Sequence, residues 1–122
     1  MKHNFKRLNV WNQSRNLVVD LYELTGNFPK IEQHGLTSQT RLAAISVASN
    51  NAEGYGRTSQ KQLAHFLNIA IGSTCEIETQ LYLSMDLRYL NTQQTEFVLT
   101  ETNTIRKILF TLRKRALTVS CP

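Results

Sequence analysis

The stretch Ser49-Asn50-Asn51-Ala52-Glu53-Gly54-Tyr55-Gly56-Arg57-Thr58-Ser59 constrains this chain more than any other. On both sides of it apolar residues recur with a helical period. Within it, Gly54 and Gly56 offer the backbone freedom that a tight reversal needs. Ser59 followed by Gln62 has the spacing of a capping box, which restarts a helix. A helical hairpin is the direct implication.

Four helical windows in all follow the same logic, two of them the arms of that hairpin. Val10, Trp11, Leu17, Val18, Leu21, Tyr22 and Leu24 point to a first helix over about 8–26, with a buried stripe at 11, 18, 21 and 22. Thr25-Gly26-Asn27 ends it, and Phe28-Pro29 bars continuation. Residues 30–35 read as a connector. The second helix spans about 37–54 and is rich in small residues, so neighbours can approach closely. The third, about 59–90, carries two seams in steps of four and three. One is Leu63, Leu67, Ala70, Thr74, Ile77 and Leu81; the other is Ile71, Cys75, Glu78, Tyr82, Met85 and Tyr89. The fourth spans about 92–118 on Val98, Thr102, Ile105, Leu109, Leu112, Ala116 and Val119, after a cap-like Asn91 and Gln94. Four amphipathic helices with short connections imply an all-α, up-down-up-down antiparallel four-helix bundle forming one domain over 1–122. The double seam of the third helix is wider than one apolar face requires. It implies self-association through Ile71, Cys75, Tyr82, Met85 and Tyr89.

That topology sorts the charges. The end shared by the N-terminus, the 54–58 turn and the C-terminus collects Lys2, Lys6, Arg7, Arg57, Lys61, Arg113, Lys114 and Arg115, opposed only by Glu53. The other end collects Asp20, Glu23, Glu32, Asp86, Glu96 and Glu101, against Lys30 and Arg88. The formal net charge of +5 favours an acidic partner, nucleic acid before a membrane surface. The bland alternatives are solubility and, for Arg113 to Arg115, complementing a helix C-terminus. Reflecting the hairpin about Arg57 sets Arg41 opposite Ser73, one turn from Glu76, as a candidate ion pair. It also sets Glu53 opposite Lys61. Arg41, Asn50, Glu53, Ser73 and Glu76 are therefore candidate structural polar residues. Close approach of a neighbouring backbone would explain Gly72 within a helix.

No catalytic constellation emerges. His3, His34 and His65 lie on separate elements without metal-ligand spacing. Cys75 and Cys121 form no disulfide framework, and Cys75 on an apolar seam reads as inert packing. No Glu-x-x-His pair for a di-metal bundle is present, and Gly54-Tyr55-Gly56-Arg57 lacks the Lys-Ser/Thr of a phosphate loop. The expectation is a non-enzymatic protein without cofactor or metal. No run approaches 18 apolar residues and no signal-peptide core is present, which points to the cytoplasm.

Several motifs together carry a family resemblance. They are Trp11, Phe28-Pro29-Lys30-Ile31-Glu32, Gln39-Thr40-Arg41-Leu42-Ala43, Ser46 with Asn50-Asn51-Ala52-Glu53-Gly54, and Gly72-Ser73-Thr74-Cys75-Glu76. In this order the chain resembles, from about Phe5 to Leu112, the small four-helix-bundle proteins encoded in intervening sequences of bacterial 23S ribosomal RNA genes. Asn51 stands where the family usually has isoleucine, and Leu42 where a second arginine is common. The resemblance implies a homo-oligomer, a ring-like pentamer, in a ribosomal RNA or ribosome-linked context. It also suggests kinship with the accessory variability proteins of diversity-generating retroelements. The functional expectation is an RNA-binding bundle that contacts phosphates through its basic end. Phe5, Trp11 and Tyr55 are the aromatic residues near that end. The alternative is a protein-interaction scaffold whose charge serves solubility.

Overall fold

The computed structural model describes residues 4–119. Four α-helices account for most of them: α1 (Asn9–Thr25), α2 (Leu36–Tyr55), α3 (Gln60–Asp86) and α4 (Thr92–Val119). Short 3-10 turns form at Phe5–Arg7, ahead of α1, and at Lys30–Glu32, within the expected connector. Side-chain bonds between the helices establish their directions. Asn51 on α2 reaches Ser14 on α1, whereas Arg41 reaches Thr25. Ser46 on α2 meets Ser73 on α3. On α3 and α4, Asn68 pairs with Arg113 and Glu78 with Arg106. In each pair, later residues on one helix meet earlier residues on the other, so consecutive helices are antiparallel. Contacts between α1 and α4 close the bundle, and theirs is the thinnest of the four seams.

The core is the expected α3 and α4 seams plus a displaced α1 stripe. Leu63, Leu67, Ala70, Thr74, Ile77 and Leu81 are buried, as are Val98, Thr102, Ile105, Leu109 and Ala116. On α1 the buried positions are Val10, Ser14, Leu17, Leu21 and Thr25, while Trp11 and Val18 are half-buried and Tyr22 is exposed. The displacement has a chemical cause. Ser14 and Thr25 hide their hydroxyls by donating to the carbonyls of Val10 (2.6 Å) and Leu21 (2.7 Å). Ser84 and Thr102 do the same towards Gln80 and Val98, each at 2.7 Å. Back-bonded hydroxyls sit in the core as small, satisfied residues, so apolar periodicity alone misplaces the stripe.

Two expectations about turns are corrected. Among the described residues no glycine has positive φ, so Gly54 and Gly56 do not make the reversal by a left-handed backbone. Gly54 is needed for closeness instead. A Cβ there would lie 3.0 Å from Leu63 Cδ1 and 3.1 Å from Phe66 Cβ on α3. Gly72, expected to admit a neighbouring backbone, has no such neighbour within 4 Å of an added Cβ. The left-handed residue is Arg88, at φ 65°. The Tyr89 N–H bonds Ser84 O (2.9 Å) and the Arg88 N–H bonds Met85 O (2.9 Å), a Schellman closure that ends α3 before the expected 90. Leu90 then turns back into the core. The helix starts obey their caps. Ser59 Oγ accepts from the Gln62 N–H at 3.0 Å. Asn91 Oδ1 accepts from the Gln94 N–H (2.8 Å) while Gln94 Oε1 accepts from the Asn91 N–H (2.9 Å).

Candidate nucleic-acid interface

Antiparallel packing brings three segments to one pole: the Phe5–Arg7 turn, the α2–α3 connection and the last turns of α4. Lys6, Arg7, Arg57, Lys61, Lys114 and Arg115 are exposed there, and Arg113 is half-buried. Lys2 lies outside the described residues. The cations have different degrees of restraint. Arg57 pairs with Glu53 at 3.2 Å within one helical turn, so Glu53 does not take the Lys61 partner expected for it. Arg57 also lies 4.9 Å from the Phe66 ring centroid. Arg113 donates to Asn68 Oδ1 at 2.6 Å and lies 4.8 Å from the Phe110 ring centroid. Tyr55, buried at the end of α2, has a phenol raised by desolvation and partly offset by the nearby Arg115 charge. That interaction ties the α4 terminus to the hairpin. Phe5 packs edge-on against Trp11 at 5.1 Å, and Arg15 lies 5.0 Å from the Trp11 ring.

The structural polar residues form a different set of contacts from the reflected one. Ser46, more than a helical turn from Arg41, is the residue facing Ser73, with 2.8 Å between the hydroxyls. Asn50 Nδ2 donates to Ser46 O (2.9 Å) and Ser46 Oγ (3.0 Å), so three polar side chains join α2 to α3. Arg41 turns to α1. Its Nε donates to Thr25 Oγ1 (2.9 Å), its Nη2 to Tyr22 O (3.3 Å), and its guanidinium covers the Tyr22 ring at 4.4 Å. Glu76 is exposed. The proposed Arg41–Glu76 pair is therefore replaced, because Arg41 lies on the α1 side of α2.

An interhelical ion pair does form where the sequence reading had none. Arg106 Nη2 meets Glu78 Oε1 at 2.6 Å, with the Arg106 side chain only 16% exposed. Arg106 also donates to Thr74 Oγ1 (2.9 Å) and Thr74 O (3.2 Å). The available signal was Glu78 on an apolar seam: a charge there needs a partner from the facing helix. A second missed feature lies across α1 and α4, where the carboxyl of Glu101 lies close to that of Asp20. Burial first, then the hydrogen bond and charge of Asp20, push its carboxyl up to about 7.

Of the residues assigned to self-association, Ile71 belongs to the core of the chain itself. Met85 and Tyr89 are half-buried, and Tyr89 donates to Glu32 Oε2 at 2.9 Å. Cys75 is an exposed free thiol rather than a packed one, and Tyr82 is 50% exposed. Ile69, Leu83 and Leu87 add exposed apolar surface to the same helix.

Among the described residues no cluster of His, Cys, Asp and Glu could hold a metal ion. No described helix is long and apolar enough to cross a membrane. No curated protein matches the chain. A crystal structure of a protein of unknown function from the S23 ribosomal protein family of Bacteroides thetaiotaomicron VPI-5482 shares the fold. Its TM-score is 0.79 at 24% identity, over 86% of this chain and 95% of that one. The family model described as 23S rRNA-intervening sequence protein matches residues 6–111. With that match spanning nearly all of the bundle, the chain belongs to the 23S rRNA-intervening sequence protein family.

Proposed function

We propose that the protein is a self-associating, non-enzymatic RNA-binding bundle, tied to 23S ribosomal RNA or the ribosome, that grips phosphates through its basic pole. One observation carries the reading. The antiparallel fold gathers Lys6, Arg7, Arg57, Lys61, Arg113, Lys114 and Arg115 at one pole, with Glu53 as their near acidic neighbour and already paired to Arg57. Such a surface binds a polyanion through many contacts that each release counterions. The family context supports ribosomal RNA as the polyanion.

The test is a binding titration of the protein against a structured ribosomal RNA fragment across a salt series. Affinity should fall by at least about tenfold between 50 and 200 mM salt. Negligible binding at the low end would overturn the reading and favour a protein-interaction scaffold. Self-association is supported by the exposed Tyr82, Cys75, Ile69 and Leu83 on α3, with Met85 and Tyr89 at the margin. Light scattering should give a multiple of the monomer mass, five being the ring expected by resemblance. A monomer at micromolar concentration would exclude it.

A further inference from the structure

We propose that the flank of α4 around Phe110 is a seat for an unpaired nucleobase, so that the basic pole takes single-stranded RNA in preference to duplex. The inference rests on the RNA-binding reading above and specifies its ligand.

Phe110 is 42% exposed and points away from the core, which its neighbour Leu109 fills. A large aromatic ring on this part of α4 does little for the fold. Its surroundings are cationic. Arg113 lies 4.8 Å from the ring centroid and is held by Asn68 of α3 at 2.6 Å, so the ring–cation pair is fixed before any ligand arrives. Phe110, Arg113, Lys114, Leu117 and Thr118 line a depression of about 510 Å³. A second hollow of about 430 Å³, lined by Thr111, Lys114, Arg115 and Thr118, adjoins it around Lys114.

Those are the two components of a single-strand site. Bases stack on aromatic rings and guanidinium planes, and the backbone follows a groove of positive charge. In a duplex the bases are already stacked on one another, so Phe110 would gain nothing from them. The other arginine-capped rings towards this pole, Phe66 beneath Arg57 and Trp11 beside Arg15, are both half-buried. Phe110 is the ring with accessible surface.

Fluorescence anisotropy with a labelled oligouridylate and a hairpin duplex of equal length tests the proposal on the whole chain. The wild type should bind the single strand more tightly. Phe110→Leu keeps the apolar volume and the helix. It should weaken single-strand binding by about 5- to 100-fold, leaving duplex affinity and the salt slope unchanged. Phe110→Trp, with a larger stacking surface, should tighten single-strand binding. That arm keeps the test decisive should the leucine variant fold poorly. Equal single-strand affinity of wild type and both variants, or a wild-type preference for duplex, overturns the seat and leaves the RNA reading standing. A loss of self-association in Phe110→Leu also overturns it, because the ring would then be a subunit contact. No binding of either RNA by the wild type at low salt overturns both.

Discussion

Asn51 stands fully buried on α2, among core positions that ordinarily take apolar side chains. Its amide nitrogen is satisfied because Ser14 faces it across α1 and α2, while its Oδ1 is buried without a hydrogen-bond partner. Asn51 Nδ2 donates to Ser14 Oγ (3.2 Å) and to Val47 O (3.0 Å). Removing one partner of a buried polar pair costs more than removing both. Ser14→Ala should therefore destabilise by about 1–3 kcal/mol, and Asn51→Leu by less than about 1 kcal/mol, in urea unfolding. Asn51→Leu should also abolish most of the Ser14→Ala effect, and additive losses would refute the coupling. Arg88 gives a second prediction at this scale. Its left-handed backbone strains any residue with a Cβ. Arg88→Gly should stabilise by about 0.5–1 kcal/mol after the extra entropy of glycine is set against it. A lower unfolding midpoint would mean that the arginine side chain has a role of its own. The sequence marked Asn51 as out of place but not its Ser14 partner, and it did not mark Arg88. The capping pairs Ser59–Gln62 and Asn91–Gln94 were legible beforehand, because both partners lie within one turn. By contrast, Arg88 becomes left-handed only once Leu90 must return to the core.

At the scale of elements, the two helical glycines make opposite predictions. Gly54→Ala pushes a methyl group against Leu63 Cδ1 and Phe66 Cβ. Forcing α2 from α3 should cost about 1–3 kcal/mol. Gly72→Ala meets nothing within 4 Å and should stabilise by up to about 1 kcal/mol. Thermal melts of the two variants, compared at one protein concentration, read both signs. The thin α1–α4 seam carries a pH dependence. Glu101 on α4 faces Asp20 on α1. Its Oε1 is buried and unpartnered, and burial followed by Asp20 raises its carboxyl from 4.5 to about 7. On α3, Glu78 is paired with Arg106 of α4. Between 4.5 and 7 the folded chain holds a proton that the unfolded chain has released. This stabilisation is fully present below the lower value and is lost as pH rises through the upper one. Urea midpoints should thus decline from pH 5 to 7.5, and Glu101→Gln should flatten the decline. An identical slope in the variant would assign the dependence to other groups. Helix existence and order were readable from periodicity and caps. Which face of α1 turned inward was not, because Ser14 and Thr25 disguise core positions as polar ones.

At the scale of the molecule, the proposed assembly rests on the outer face of α3. Tyr82→Glu places a charge on that face without touching the core. It should shift the light-scattering mass to the monomer with helicity unchanged, while an unchanged mass would move the interface elsewhere. The four-helix architecture and its charge asymmetry were set by the sequence alone, because helical period, caps and breakers are local, and because short connections leave antiparallel packing as the simplest topology. Which long side chains meet was decided only by the folded bundle. Rotation and register of α2 against its neighbours sent Arg41 to Thr25, brought Ser46 to Ser73 and left Glu78 for Arg106. A helix presents a different face every residue or two, so small shifts in register exchange one partner for another while the apolar pattern stays the same.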